Sequence, residues 1–288
     1  MMNKQKKEIF SMFNKRNEFS NKGDFGRALI VAGSYSMAGA AVICAKACIS
    51  SGIGICDIAI EDRVYPIVSS SVPEAVCTPI SNSFNENDKK ALKNSLKKAD
   101  VVVIGCGMGN TDYTDKILRF VIEKCEVPLI IDADALNVLS EDLSILNDKK
   151  CEIIVTPHPG EMSRLVGLSV AEINANRVET AIEFSKNHGV ITLLKGKNTV
   201  ISERNGEYFI NESGTPAMAT GGSGDMLCGV IAAFIGEGFT PIDATRAGAF
   251  IHGLAGNLSE KEFSARATTP TTMIKMLCNI YKEIEENL

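Results

Sequence analysis

Within residues 214–229 a glycine cluster, Gly221, Gly222 and Gly224, stands beside a lone acid, Asp225, just ahead of an apolar run at 226–235. The run predicts a buried helix. Glycine lets the backbone turn sharply and approach a ligand closely. The first amides of a helix have no internal partners. Together with the positive end of the helix dipole they form a cradle for an anion. Asp225, at the mouth of that cradle, would repel a permanently bound anion. Its chemical use there is to take a proton from a hydroxyl that is being phosphorylated. The residue types alone also allow a glycine turn capped by Asp225 with no chemistry.

Other polar groups recur at fixed places in the chain. Lys195, Gly196, Lys197, Asn198 and Thr199 end an apolar run, where lysines can counter phosphate charge or sit in a solvated turn. His158 lies between Pro157 and Pro159, which stiffen its backbone, and serves a substrate contact or a plain surface position. Glu161 falls in the first turn of a helix, where an acid is favourable for capping alone. Asp132 and Asp134 stand at a strand end. With Asn137 and Glu161 they offer oxygens that help hold Mg²⁺ indirectly, through the waters it retains. Asp134 is expected to be the N-cap of the next helix. His252 lies in an apolar helix and reads as a core histidine with a hydrogen-bond partner.

Two familiar phosphate signatures are missing. No Gly-x-x-x-x-Gly-Lys-Ser/Thr occurs. Gly105-x-Gly107-x-Gly109 follows a strand but lacks the Gly-x-Gly-x-x-Gly spacing of a dinucleotide fold.

Positioning these groups requires a scaffold, and the apolar pattern supplies one. Short apolar runs at 28–32, 55–60, 101–104, 129–131, 153–155 and 190–194 predict strands. Helical segments are expected at 37–51, 62–70, 87–98, 115–124, 135–139 and 171–188. The 28–32, 37–51 and 55–60 segments make a β-α-β unit, the seed of a parallel sheet. Runs with no polar residue, such as 101–104, suit the middle of such a sheet. A hairpin is expected from 199–201 to 208–210 around Asn205-Gly206. Helices at 226–236, 241–258 and 271–285 close the chain. The clusters at Gly33, Gly105, Asp132, His158, Lys195 and Gly221 all follow strands or open helices, so they should converge on one crevice at the carboxyl edge of the sheet. Residues 1–21 read as a charged, helical lead-in and 22–288 as one domain.

Bulk properties narrow the partners. The 288 residues carry a formal charge of −5, which gives no general attraction to nucleic acid or to anionic membranes. The nine cysteines show no metal-site spacing and lie mostly in apolar segments, which points to a reducing cytoplasm. No signal core and no membrane span is expected.

Taken in order, the motifs resemble one family. They are Lys22-Gly23-Asp24-Phe25-Gly26-Arg27, Gly33-Ser34 with Met37-x-Gly39-Ala40-Ala41, Gly105-x-Gly107-x-Gly109, residues 132–137, residues 156–161, Leu194-Lys195-Gly196, and Gly221 to Asp225. Their combination resembles the NAD(P)H-hydrate dehydratases of the ribokinase-like superfamily. The resemblance implies an α/β three-layer sandwich with a mostly parallel central sheet flanked by helices. It implies repair of hydrated NADH or NADPH, the S-epimer, by ADP or ATP with Mg²⁺. The ring hydroxyl is phosphorylated and phosphate is then eliminated, so the enzyme is a lyase that yields AMP from ADP.

It further implies that Ala40, Gly107, His158 and Asp225 contact the hydrate, and that Lys195 to Thr199 with Gly224 hold the nucleotide. Asp225 would be the base, and Gly222 and Gly224 would stabilise the moving phosphoryl group; the resemblance assigns no metal ligand, and Glu161 and Asn137 are offered for contact through water on their residue types alone. A homotetramer is implied, as is a separate epimerase, since many relatives carry an epimerase domain for which this chain leaves no room. Cys106 and Met108 depart from the family's usual Pro and Leu, and Thr269-Pro270-Thr271-Thr272 from its usual Ala-Ser-Asp. Two other readings share the cradle: a kinase for a small vitamin-precursor alcohol, and a nucleotide sensor without catalysis.

Overall fold

The computed structural model describes residues 2–288. One sheet of nine strands crosses it: β1 (Arg27–Val31), β2 (Ile55–Glu61), β3 (Val76–Ile80), β4 (Val101–Ile104), β5 (Leu129–Ile131), β6 (Ile153–Val155), β7 (Ile191–Leu194), β8 (Thr199–Ser202) and β9 (Tyr208–Asn211). Their spatial order is 3-2-1-4-5-6-7-8-9. The first seven are parallel, and β8 and β9 add an antiparallel ribbon.

Successive strand residues point to opposite faces, which divides the core in two. In β1, Ala28 and Ile30 join one apolar cluster and Leu29 and Val31 the other; in β4, Val101 and Val103 oppose Val102 and Ile104. The first face carries the helices Ala38–Ser50, Ser223–Gly236, Pro241–Phe263 and Pro270–Glu286. The second carries Glu86–Leu96, Asp112–Lys124, Asp134–Leu139, Pro159–Val166 and Arg177–His188. Both faces are covered, which is why the central strands contain no polar alternation. The result is the expected three-layer sandwich.

Small residues set the closest packing. A Cβ on Gly229 would fall on the Cys44 carbonyl oxygen, so the helix that follows the glycine cluster lies directly against Ala38–Ser50. Ala41, Cys44, Ala45 and Cys48 on the facing helix are fully buried.

Several expected segments differ in detail. β3 escaped the sequence pattern, because Val76 is exposed and Pro79 removes an amide; both are tolerated where a strand lies at a sheet edge. The helix expected at 62–70 is a short 3₁₀ turn, Asp62–Val64, followed by Tyr65–Ser71. The single helix expected at 171–188 is two, Val170–Ala175 and Arg177–His188, broken where Asn176 takes φ −132°. The helix expected from 115 starts at Asp112, capped by the Thr111 hydroxyl, and the one expected to end at 258 continues to Phe263. In the lead-in, Met2–Phe10 is helical; Met1 lies outside the described residues. Ile9 of that helix is buried, and Phe13 meets Phe234 and Phe239 edge-on.

Candidate active site

β1, β4, β5, β6 and β7 are consecutive neighbours in the sheet, so the loops after them are neighbours too. Backbone hydrogen bonds stitch those loops together. The Gly33 amide donates to the Cys106 carbonyl (2.8 Å), Asp132 to Ile104 (3.1 Å), Thr156 to Ile131 (3.2 Å) and Lys195 to Pro157 (2.8 Å). The expected crevice therefore exists as a continuous rim.

The glycine cluster completes it. The helix begins at Ser223, earlier than the apolar pattern implied, with Gly222 as N-cap at φ +88°. Asp225 thus lies inside the first turn rather than ahead of it. Among the described residues, the amides of Gly222, Gly224 and Asp225 donate to no other protein atom. They are the unfilled donors of the cradle. Burial, and then the neighbouring charge of Asp132, push the Asp225 carboxyl up to about 6, against the opposing pull of Cys106 and Lys195. Such a carboxylate can accept a proton near neutral pH, which an ordinary aspartate does poorly.

A cavity of about 790 Å³ opens beside the cradle. It is lined by Lys195 to Thr199, by Ser223 and Gly224, and by His158, and reaches the 212–220 loop and His252. The five residues expected to hold a nucleotide thus form one wall of one cavity. Gly196 (φ +145°) and Asn198 (φ +55°) give that wall its tight turn. Arg177 braces it from behind, donating to the Leu194 (2.8 Å) and Lys195 (3.1 Å) carbonyls.

Lys195 is not a free cation. Its ammonium lies 2.7 Å from Asp132 Oδ1 and 3.6 Å from Glu161 Oε2. Burial pushes the Lys195 amine down, but the charges of Asp132 and Glu161 outweigh it and hold the amine above its usual range. Burial likewise raises Asp132, yet the Lys195 charge and hydrogen bonds from Lys195 and Thr156 hold its carboxyl below the ordinary value. The Thr156 hydroxyl, which opens the 156–161 motif but to which the sequence alone assigns no role, donates to Asp132 at 2.7 Å.

On the other side, Gly107 and Ala40 touch: a Cβ on Gly107 would lie 2.6 Å from the Ala40 Cβ. His158 caps the helix Pro159–Val166, with its Nδ1 accepting from the Gly160 (2.9 Å) and Glu161 (3.3 Å) amides, and its ring is half exposed toward the cavity. Glu161 answers by accepting the His158 amide at 2.7 Å.

Asp134 departs from expectation. Ala133 is the N-cap, in a strained backbone with φ +51°, and Asp134 instead accepts the Gly109 amide at 2.8 Å, pinning the glycine loop. Asn137 accepts from Arg164 Nε at 2.9 Å. His252 does have its hydrogen-bond partner, the Ser223 hydroxyl at 3.2 Å, but it also faces the cavity, and burial pushes its imidazole down to about 4.

This mostly parallel sandwich is a ribokinase-like fold: a ribokinase-like superfamily protein of Enterococcus faecalis superposes with a TM-score of 0.84 at 28% identity. A profile described as NAD(P)H-hydrate dehydratase matches residues 28–279. The chain belongs to that family. It is 35% identical, over 93% of its length, to the bifunctional NAD(P)H-hydrate repair enzyme of Thermofilum pendens, of which the match covers 52%. The chain spans about half the length of the first curated relatives it matches. It is also 30% identical to the ADP-dependent (S)-NAD(P)H-hydrate dehydratase of Listeria monocytogenes, with 95% of each chain covered. The Bacillus subtilis ADP/ATP-dependent NAD(P)H-hydrate dehydratase, crystallised with ATP and Mg²⁺, superposes with a TM-score of 0.84 at 27% identity, covering 97% of both chains. No helix among the described residues is long and apolar enough to cross a membrane.

Proposed function

We propose that this chain converts the S-epimer of hydrated NADH or NADPH back to the reduced cofactor, with ADP or ATP as phosphoryl donor. The observation that carries this reading is Asp225, a carboxyl poised at about 6 in the first turn of a helix whose leading amides are unfilled. Names of close relatives support it.

Hydroxide is a poor leaving group and phosphate a good one, so the ring hydroxyl is phosphorylated first. In this reading the hydrate lies against Ala40, Gly107 and His158, with its hydroxyl on Asp225. The nucleotide occupies the cavity walled by Lys195 to Thr199, with Gly224 beneath its terminal phosphate. Asp225 takes the hydroxyl proton as the oxygen meets the phosphoryl group. The Gly222 and Gly224 amides then hold the charge that builds on the transferring oxygens. Lys195, already paired with Asp132, adds a fixed positive charge. The ring nitrogen lone pair then expels phosphate, and loss of a proton from the adjacent carbon restores the double bond. AMP is the second product when ADP is the donor.

In this reading Mg²⁺ would be held through water by Glu161 and Asn137, whose carboxylate and amide oxygens each accept one protein N–H and keep further lone pairs for metal-bound waters. When bound, the ion would neutralise charge on the transferred phosphoryl group. The same reading includes a cytoplasmic setting, in keeping with nine free cysteines, a homotetramer, and a separate epimerase acting on the same substrate.

The test is the recovery of NADH absorbance from hydrated NADH, with ADP and ATP supplied separately. Recovery with either nucleotide is expected. A stable phosphorylated product without elimination would make the chain a small-alcohol kinase, and nucleotide binding with no turnover would make it a sensor.

A further inference from the structure

Behind Asp225 lies a group of side chains of which the proposed reaction uses only Asp132, as the partner of Lys195. The sulfurs of Cys106 and Cys228 and a carboxylate oxygen of Asp132 lie within 4.8 Å of one another. All three residues are at most 1% exposed. They come from three rigid places: the glycine loop after β4, the end of β5, and the helix one turn beyond Asp225. We propose that Cys106, Cys228 and Asp132 form a site for a thiophilic divalent cation, of which zinc is the prototype, and that filling it stops turnover.

The donor set selects the ion. Two thiolates and a carboxylate suit zinc or cadmium, whereas Mg²⁺ prefers oxygen alone. Zinc–sulfur bonds of about 2.3 Å in a tetrahedron put ligand atoms about 3.8 Å apart, so atoms within 4.8 Å of one another need contract by about 1 Å at most. Charge decides the valence. Uptake exchanges two thiol protons for one M²⁺, giving a dithiolate complex and two protons in solution. The net charge of the buried cluster is unchanged, which avoids the heavy penalty for adding charge to an apolar interior. A monovalent ion replacing two protons would leave the cluster one charge more negative. Lys195 must yield some of its hold on Asp132, and Glu161, 3.6 Å from its ammonium, is the partner it keeps. Cys228 lies one helical turn beyond Asp225 on the same helix, so the bound dication stands close behind that carboxylate and opposes transfer of the hydroxyl proton to it.

The experiment uses the full-length reduced protein, titrated with Cd²⁺ and with Zn²⁺. Expected is one cation per chain, thiolate-to-cadmium charge-transfer absorption, and two protons released per ion in weak buffer. X-ray absorption on the zinc-loaded native protein should show two sulfur neighbours and lighter atoms for the rest, a readout that needs no variant. Cys106→Ser and Cys228→Ser should each abolish the absorption, while Cys278→Ser, at an exposed thiol, should leave it intact. Saturating zinc should lower turnover at least tenfold and a chelator should restore it; in Cys228→Ser, zinc should leave turnover at that variant's own zinc-free rate. Absorption lost only in Cys278→Ser, or a zinc shell with one sulfur or none, would overturn the site and leave these thiols as core packing. The binding and spectroscopic outcomes do not depend on the dehydratase reading; loss of activity in all forms with intact metal binding would count against that reading and against the inhibitory role, not against the site.

Discussion

Asp225→Asn should make the protein inactive and more stable at once. The folded carboxyl is raised from 3.8 to about 6. At 1.36 kcal/mol per unit, that difference corresponds to about 3 kcal/mol of unfavourable ionisation in the fold. The sign follows from linkage. The unfolded carboxyl loses its proton near pH 4 and the folded one near pH 6, so the penalty is absent below about pH 4, grows between the two values, and is complete above about pH 6. Asparagine keeps the shape and removes the charge. It also has its own amide to satisfy, which reduces the gain to about 1–3 kcal/mol. For a chain of this length, that corresponds to a rise in Tm of about 2–6 °C. Thermal melts of both proteins at pH 8 and pH 4 measure it, with a clear gain expected at pH 8 and little at pH 4. Removing a general base should lower the hydrate-dependent rate by about 10²–10⁴-fold, and in the native enzyme kcat/KM should fall as pH drops through about 6. A variant no more stable at pH 8, or a gain undiminished at pH 4, would mean that Asp225 is not a buried, destabilised carboxylate. Turnover within tenfold of native would remove it as the base.

Two further substitutions separate the halves of the site. Lys195→Met strands the buried Asp132 charge and should cost about 3–5 kcal/mol in denaturant melts; adding Asp132→Asn should recover most of that stability while the nucleotide KM stays elevated. Gly107→Ala forces a Cβ to 2.6 Å from Ala40 at φ +63° and should cost about 1–2 kcal/mol; it should raise the KM for the hydrate by about tenfold and leave that for the nucleotide unchanged.

The parallel core was legible because its strands are runs such as Val101-Val102-Val103-Ile104, buried on both faces and free of polar interruption. The glycine-led helix start was legible because glycine spacing and a following apolar run are local features. What escaped depends on partners distant in sequence. Nothing near Asp134 announces that it will accept from Gly109, and the strain at Ala133 that aims it exists only in the folded loop. Lys195 looks like a free cation until Asp132, on another strand, is seen beside it. Thr156, Arg177 and the Ser223–His252 contact act on residues across the crevice, and no spacing rule marks them. The edge strand was hidden by Pro79, and the break at Asn176 by a continuous helical pattern on both sides.

The helix Ser223–Gly236 has a consequence for how the chain matures. It is synthesised late, yet it packs at the centre of one face, against the helix Ala38–Ser50 that emerges early. During synthesis the early β-α-β unit must wait, with its alanine- and cysteine-lined surface uncovered, until the distant partner leaves the ribosome. Contacts so far apart in sequence slow folding and expose sticky intermediates. Chains cut short before residue 236 should therefore aggregate rather than form a half-enzyme, and catalytic competence should arrive in one late step.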